Sequence, residues 1–316
     1  MSESTDNSFH FVISAPRSGS TWLARALNGH PQIVATENRL FGMFFDIWKN
    51  RQGKGSPRMT ADQFARGLAN HSFFQELGFA DAASMQEAFL EQYLSMLAGF
   101  LRSQSGKPVV VDKVTPYLGT SHKVVQQIQK YFPDARIIQL IRDGRDVAVS
   151  GVFDWVAREQ PDSDRYRLFV EGDSGIRLSR FFDDESLEQW SRYWTEPVEA
   201  SGSSAGLTIR YESMLGDQAA VLGEVFAFLE VDNDPELAAA CAGSATFEKM
   251  TGRERGQDQP LKKTRKGISG DWQNYFTRED ARQFQERTGN WLQQLEYEPD
   301  LTWIDQCPDT LDLSVA

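Results

Sequence analysis

Five short apolar runs, each followed by a turn and a stretch of helical spacing, constrain this chain more tightly than any other feature. They are Phe9–Ser14, Ile33–Ala35, Pro108–Asp112, Ala135–Ile141 and Leu207–Tyr211. Continuous apolar runs are what parallel strands look like when both faces of their sheet are covered. Between them come a helix opening at Thr21, a helical pattern over 60 to 104 with Phe89, Tyr93, Leu94, Leu97 and Leu101 along one face, and a helix over 119 to 131. Another starts near Gly144, and a Trp-bearing helix runs from 185 to 199 after an irregular, charged stretch at 159 to 184. Strands alternating with helices predict an α/β fold with a central parallel sheet flanked by helices. A single domain is expected over 9–300, between a flexible N-terminus at 1–8 and a C-terminal tail at 301–316.

The formal net charge of -12 argues against a general binder of nucleic acid or anionic membrane, since both require a basic surface. A local basic pocket remains allowed. The two cysteines, Cys241 and Cys307, lack metal-ligand spacing and offer no disulfide framework. Met1–Ser8 is polar without a basic region and apolar run, so no secretory signal is expected. No apolar stretch approaches the ~20 residues that span a bilayer. These features predict a soluble, cytoplasmic protein.

The first run ends at Ala15-Pro16, and Arg17-Ser18-Gly19-Ser20 lead into the helix that carries Thr21 and Trp22. Backbone N–H groups at a helix N-terminus point outward and carry about half a positive charge, which suits phosphate. Gly19 lets the backbone approach closely, Ser20 and Thr21 add hydroxyl donors, and Arg17 adds a permanent cation. The plainer alternative is a capped helix after a turn. The segment lacks the Lys of a Walker A loop. Arg142, at the end of the fourth run, can reach the crevice where nucleotides bind to such sheets, and Ser150 lies inside the following helix. The alternative is an exposed charged turn, with Asp143 and Asp146 supporting the helix N-terminus. Residues 262 to 277, starting with Lys262 and Lys263, form a basic, Gly-containing stretch in an acidic chain. Such a concentration of positive charge wants an anion, although lysines alone read as a solvated charge run.

Together these stretches resemble the sulfotransferases that depend on 3'-phosphoadenosine 5'-phosphosulfate (PAPS; the product is PAP). Pro16–Trp22 is similar to their 5'-phosphosulfate loop, PKSGTTW or PRSGTT. Arg142 and Ser150 match the Arg and Ser that hold the 3'-phosphate. RKGISGDW, beginning at Arg265, resembles the carboxyl-terminal cofactor loop of cytosolic members, where Arg265, Lys266 and Gly267 would contact the same phosphate. The resemblance implies a P-loop-NTPase-like sulfotransferase fold, PAPS as cofactor and metal-free, in-line transfer of a sulfuryl group to a hydroxyl or amine. It also implies a cofactor-binding set made of Arg17, Ser18, Gly19, Ser20, Thr21, Trp22, Arg142, Ser150, Arg265, Lys266 and Gly267. Trp22 and Phe247 would cover the two faces of adenine, with Tyr211 nearby; each of these aromatics also reads as core packing.

Arg17 stands where many members carry a Lys on the bridging oxygen, and Ser150 would restrain it. Lys113 matches the Lys of their KTHxP element and would touch the sulfuryl oxygens, unless it is a surface Lys at a strand end. Thr115 occupies the place of the His base of cytosolic members, and a threonine cannot serve as a base near neutral pH. Glu37 resembles the catalytic Glu of tyrosylprotein and heparan sulfotransferases, and partial burial would raise it usefully. It is the expected general base, with capping of the next helix or pairing with Arg39 as alternatives. His122 and Asp112 are weaker candidate bases, and His30 before Pro31 reads as structural. A P-loop kinase and a nucleotide-binding module without catalysis are the rival functions. The acceptor, a small molecule, carbohydrate or lipid, would be shaped by residues 40 to 104 and 153 to 185. Phe41, Phe44, Phe45 and Trp48 would line an apolar pocket there or pack into the core. The Lys-Thr-Val-Glu dimerisation element of many cytosolic members is not evident, which leaves the oligomeric state open.

Overall fold

In the computed structural model, which describes residues 9–37, 82–259 and 264–314, the first apolar run is a strand buried along its whole length. This strand, β1 (Phe9–Ser14), is followed by β2 (Ile33–Glu37), β3 (Val109–Val114), β4 (Ile137–Ile141) and β5 (Leu207–Arg210). They form one sheet in the order β2-β3-β1-β4-β5, and every pairing is parallel. The chain leaves β1 toward β2 on one side and β4 toward β5 on the other. Because β1 and β4 are neighbours, a crevice opens between their carboxyl ends, the place where open parallel sheets hold ligands.

The period-two alternation of a strand sorts side chains onto opposite faces. Val109 and Val111 of β3 join the core that includes Val12, Leu23, Leu27 and Ile33, whereas Val110 and Val114 join Phe9, Phe11 and Ile13. Helix α1 (Ser20–Asn28) covers the first face through Trp22, Leu23, Ala26 and Leu27. Helices α2 (Ala82–Ser105) and α3 (Ser121–Tyr131) cover the second through Leu94, Ala98, Val124, Val125 and Ile128. The same parity places Lys113 with Val109 and Val111, and Asp112 with Val110 and Val114.

A third core lies beside the crevice and joins α4 (Gly144–Glu159), α5 (Asp164–Phe169) and α6 (Asp184–Gly202) to the carboxyl-terminal segment. Helix α5 falls inside the stretch expected to be irregular. Ser163 caps it by accepting from the Tyr166 N–H, and buried Arg165 ties it to Asp183. After β5 come α7 (Tyr211–Gly216), α8 (Gln218–Phe228), α9 (Pro235–Ser244), α10 (Phe247–Thr251) and, beyond a 3₁₀ turn at Asp271–Asn274, α11 (Arg278–Thr288). Residues past 300 pack on this core: Trp303 is buried, and Leu313 pairs with Leu178 through the backbone. The helical pattern before residue 82, Arg39, Phe41, Phe44, Phe45, Trp48, Lys262 and Lys263 lie outside the described residues.

Helix α6 can press against α4 because two positions on α4 carry no side chain. A Cβ on Gly144 would fall within the Trp194 ring, and one on Gly151 within the Trp190 ring. Replacing Gly151 with Ala should therefore cost about 1–3 kcal/mol, the usual penalty of overpacking. Urea unfolding of the variant measures this; an unchanged midpoint would contradict the packing described.

Candidate functional site

The turn after β1 is built on two residues with left-handed backbone, Arg17 at φ 71 and Gly19 at φ 86. A non-Gly residue with positive φ is strained and persists when its surroundings over-determine it. Here the Arg17 carbonyl accepts from Arg142 Nη1 at 2.9 Å. The Arg17 side chain donates from Nε to Ser150 Oγ at 3.1 Å and from Nη1 to Asp154 at 3.3 Å. Gly19 faces the Tyr211 ring so closely that any Cβ would collide with it. Burial pushes the Arg17 guanidinium below its ordinary range, with Asp154 opposing the shift.

Arg142 joins the loop after β1 to the carboxyl-terminal loop. Its second terminal nitrogen donates to the Ile268 carbonyl at 2.9 Å, and its guanidinium lies 4.4 Å from the centre of the Tyr211 ring. Asp146, one helical turn on, is 3.4 Å from Arg142 and accepts from the N–H groups of Gly270 and Trp272 at 2.8 and 3.0 Å. This carboxylate therefore clamps the carboxyl-terminal loop to the start of α4. Burial pushes its carboxyl up to about 6, against the pull of Arg142 and partly against the two N–H donors.

Arg265 and Lys266 share two counter-charges, Asp271 and Asp258: Arg265 donates directly to Asp271, and Lys266 Nζ lies 2.9 Å from it and 3.4 Å from Asp258. Asp258 takes a further bond from Arg265 at 2.7 Å. The Arg265 guanidinium also sits 4.2 Å from the centre of the Phe153 ring. Burial works to raise the Asp271 carboxyl, yet Arg265 and Lys266 hold it below the usual carboxylate range. Gly267, at φ 69, lies against the Phe247 ring with no room for a Cβ. Trp22 meets Tyr211 edge-on at 5.8 Å, and Arg255 lies 5.3 Å from the Trp22 ring.

At the other end of the crevice, Glu37 and Lys113 are register partners on neighbouring strands. Glu37 Oε2 accepts from Thr21 Oγ1 at 3.2 Å and lies 3.5 Å from Lys113 Nζ, which also donates to Thr115 Oγ1 at 3.1 Å. Asp112 is fully buried on the opposite face of the sheet, where it accepts from Thr36 Oγ1 at 2.7 Å. His30 is buried between the Asp232 carbonyl and the Gln32 N–H.

Most of these groups open onto one cavity of about 1110 Å³. Of the residues expected from the sequence, Arg17, Gly19, Ser20, Thr21, Trp22, Glu37, Lys113, Arg142, Ser150, Tyr211, Phe247, Arg265, Lys266 and Gly267 line it. Ser18 does not: it is buried beneath the loop, and its hydroxyl has no partner among the described residues. Asp112 and the exposed His122 are also absent from the lining. Lining residues not singled out from the sequence include Asp271 and Arg255, and a far wall of Tyr117, Gln189, Trp190 and Tyr193 joined by Trp155 and Arg158. Asp154, Trp155 and Arg158 fall within the 153 to 185 stretch expected to shape the acceptor site. Asp154 also had a usable signal in its helical spacing from Ser150, whereas Tyr117 and the 189 to 193 part of the far wall come from segments that carried none.

A parallel sheet gathers basic side chains at the carboxyl ends of β1, β3 and β4, an arrangement whose charge suits an extended, multiply anionic ligand. Residues 9–296 match the family model of the sulfotransferase domain, and the chain belongs to that family. Mouse Sulfotransferase 2A6 is 29% identical over 194 residues, covering 56% of this chain and 64% of the relative. Human Sulfotransferase 2A1 is 25% identical over 201 residues, covering 58% of this chain and 67% of the relative. The match to the mouse relative thus spans just under two thirds of that protein. Among solved structures, mouse sulfotransferase SULT7A1 complexed with PAP shares 20% identity at a TM-score of 0.49, covering 95% of this chain and 89% of that one. Retinol dehydratase in complex with androsterone and the inactive cofactor PAP shares 18% identity at a TM-score of 0.48, covering 90% and 81%.

Asp271 offers a test of how the basic cluster is held. Replacing it with Asn leaves Arg265 and Lys266 short of one of their shared charges, and the loss of one partner of a buried pair costs about 3–5 kcal/mol. Because the folded-state carboxyl is depressed, its contribution is present above the unfolded value of about 3.9 and is lost as pH falls below it. Unfolding free energies of wild type and Asp271→Asn should differ at pH 7 and converge toward pH 3; a pH-independent gap contradicts this.

Proposed function

We propose that the protein transfers a sulfuryl group from PAPS to a hydroxyl or amine of its acceptor. The observation that carries this reading is the shared cavity: Arg17, Arg142, Arg265 and Lys266 line it together with Trp22, Tyr211 and Phe247, and Glu37 and Lys113 lie at its other end. The fit to a doubly phosphorylated adenosine is supported by features of the protein itself. Gly19 and Gly267 let the Tyr211 and Phe247 rings lie directly against the backbone, where any Cβ would collide with them, and the buried Nε atoms of Arg142 and Arg265 have no partner among the described residues.

When bound, PAPS supplies the sulfuryl group and an anionic phosphate as leaving group. The N–H groups and hydroxyls at the start of α1 would hold its 5' end. Arg142, Ser150, Arg265, Lys266 and Gly267 would hold the 3'-phosphate, and Trp22, Tyr211 and Phe247 the adenine. Arg17 would supply positive charge beside the bridging oxygen, and Lys113 beside the sulfuryl oxygens, where charge accumulates during transfer. Ser150, bonded to Arg17 Nε, would keep that guanidinium from straying before transfer.

Glu37 would take the proton from the acceptor. Its carboxylate reaches the cavity between Thr21 and Lys113, whereas Asp112 is turned away and Thr115 cannot act as a base. The acceptor, whether a small molecule, carbohydrate or lipid, would enter along Tyr117, Trp155, Trp190 and Tyr193. In this reading, residues 9 to 300 work as one catalytic unit. Its setting would be cytoplasmic, in keeping with two buried free thiols and with the absence, among the described residues, of a helix apolar enough to cross a membrane.

Calorimetry with PAP in the presence of EDTA, alongside transfer of radiolabelled sulfate from PAPS to a panel of phenols, sugars, lipid alcohols and amines, tests the reading. Tight PAP binding and transfer to one acceptor class are expected. Glu37→Gln should keep PAP affinity within about threefold while transfer drops roughly 10²–10⁴-fold. Undiminished transfer removes Glu37 as the base. Turnover of Mg-ATP, or PAP binding without transfer to any acceptor, points instead to a kinase or to a binding module.

A further inference from the structure

The cavity contains a carboxylate that the transfer chemistry leaves unused. Asp154 follows Ser150 by one turn of α4, so both side chains reach the loop after β1. One carboxylate oxygen of Asp154 lies 3.3 Å from Arg17 Nη1 and 2.9 Å from Arg158 Nη2, a further turn along the same helix. Ser150, Asp154 and Arg158 thus form a stripe on α4, with Arg17 docked across its first two members. In a cleft that gathers cations for an anionic ligand, a carboxylate at this point opposes the ligand's charge. Arg17 is where its influence falls, because burial disfavours that guanidinium and Asp154 supports it.

We propose that Asp154 is a positioning residue that competes, from within the protein, with the 5'-phosphate of the nucleotide for Arg17. The proposal rests on the PAPS reading above. In the free protein Asp154 keeps the guanidinium aligned with Ser150. A bound 5'-phosphate must either draw Arg17 away from Asp154 or tolerate a carboxylate beside it. Either course weakens the hold on the 5' end more than on the 3' end, which Arg142, Arg265 and Lys266 grip alongside Ser150. After transfer, this favours release of PAP from the cleft.

Calorimetric affinities for PAP and for adenosine 3'-monophosphate, which lacks the 5' group, separate the two ends without needing an acceptor. Asp154→Asn should bind PAP roughly three- to tenfold tighter than wild type, the size expected when a partly exposed ion pair is removed. Its affinity for adenosine 3'-monophosphate should change by less than about twofold on the same grounds, and Asp154→Glu should restore wild-type PAP binding. In an Arg17→Gln background the gain from Asp154→Asn should vanish. Equal gains for both nucleotides, no gain for PAP, or a gain that survives loss of Arg17 would each overturn the proposal while leaving the sulfotransferase reading intact. Failure of wild-type protein to bind PAP would instead remove that reading, and this inference with it.

Discussion

Positive charge brought together out of water must be neutralised, and the crevice of this protein is organised around that requirement. Arg17, Arg142, Arg265 and Lys266 would repel one another if they met without counter-ions. Each is instead met by a carboxylate: Asp154 on Arg17, Asp146 on Arg142, and Asp271 with Asp258 on the Arg265–Lys266 pair. Asp146 does the most, since it also accepts the backbone N–H groups of Gly270 and Trp272. The carboxyl-terminal loop, far along the chain from the turn after β1, is thereby fastened beside it. A single buried carboxylate couples assembly of the fold to assembly of the site.

Close contact between backbone and aromatic rings gives the same region its shape. Trp190 and Trp194 lie on Gly151 and Gly144 of α4, Tyr211 on Gly19, and Phe247 on Gly267. These contacts set how deep the cleft is and where its aromatic walls stand. Beneath them, the Arg145 guanidinium is held by Asp143 and Glu298 between the rings of Trp272 and Trp303, 3.8 and 4.6 Å from their centres. That stack ties the end of the chain to the helix that carries Ser150 and Asp154. Aromatic walls and paired charges together hold the cations of the cleft in defined orientations.

Much of this was legible along the chain. Continuous apolar runs marked all five strands to within a few residues, because a strand covered on both faces can use little else. The turn after β1, the Arg at the end of β4 and the basic loop beginning at Arg265 stood out because each concentrates Gly, hydroxyl or positive charge in a few consecutive residues. The counter-charges were harder to see. Asp258 and Asp271 look like ordinary surface acids in a chain of this composition, and their role depends on which cation folds against them. Asp112 was a reasonable candidate base by its place next to Lys113, but strand alternation turns it to the opposite face.

What the amino-acid order determined by itself was local: which segments extend, which coil, and which short stretches concentrate glycine, hydroxyl groups and positive charge, since those properties reside in neighbouring residues. Tertiary structure alone decided that Glu37 would lie opposite Lys113, that Asp154 would reach Arg17, and that Tyr117, Trp155 and Tyr193 would wall the far end of the cavity. Strand register and helix docking set those meetings, and both arise from packing between segments far apart in the chain, which no single stretch encodes.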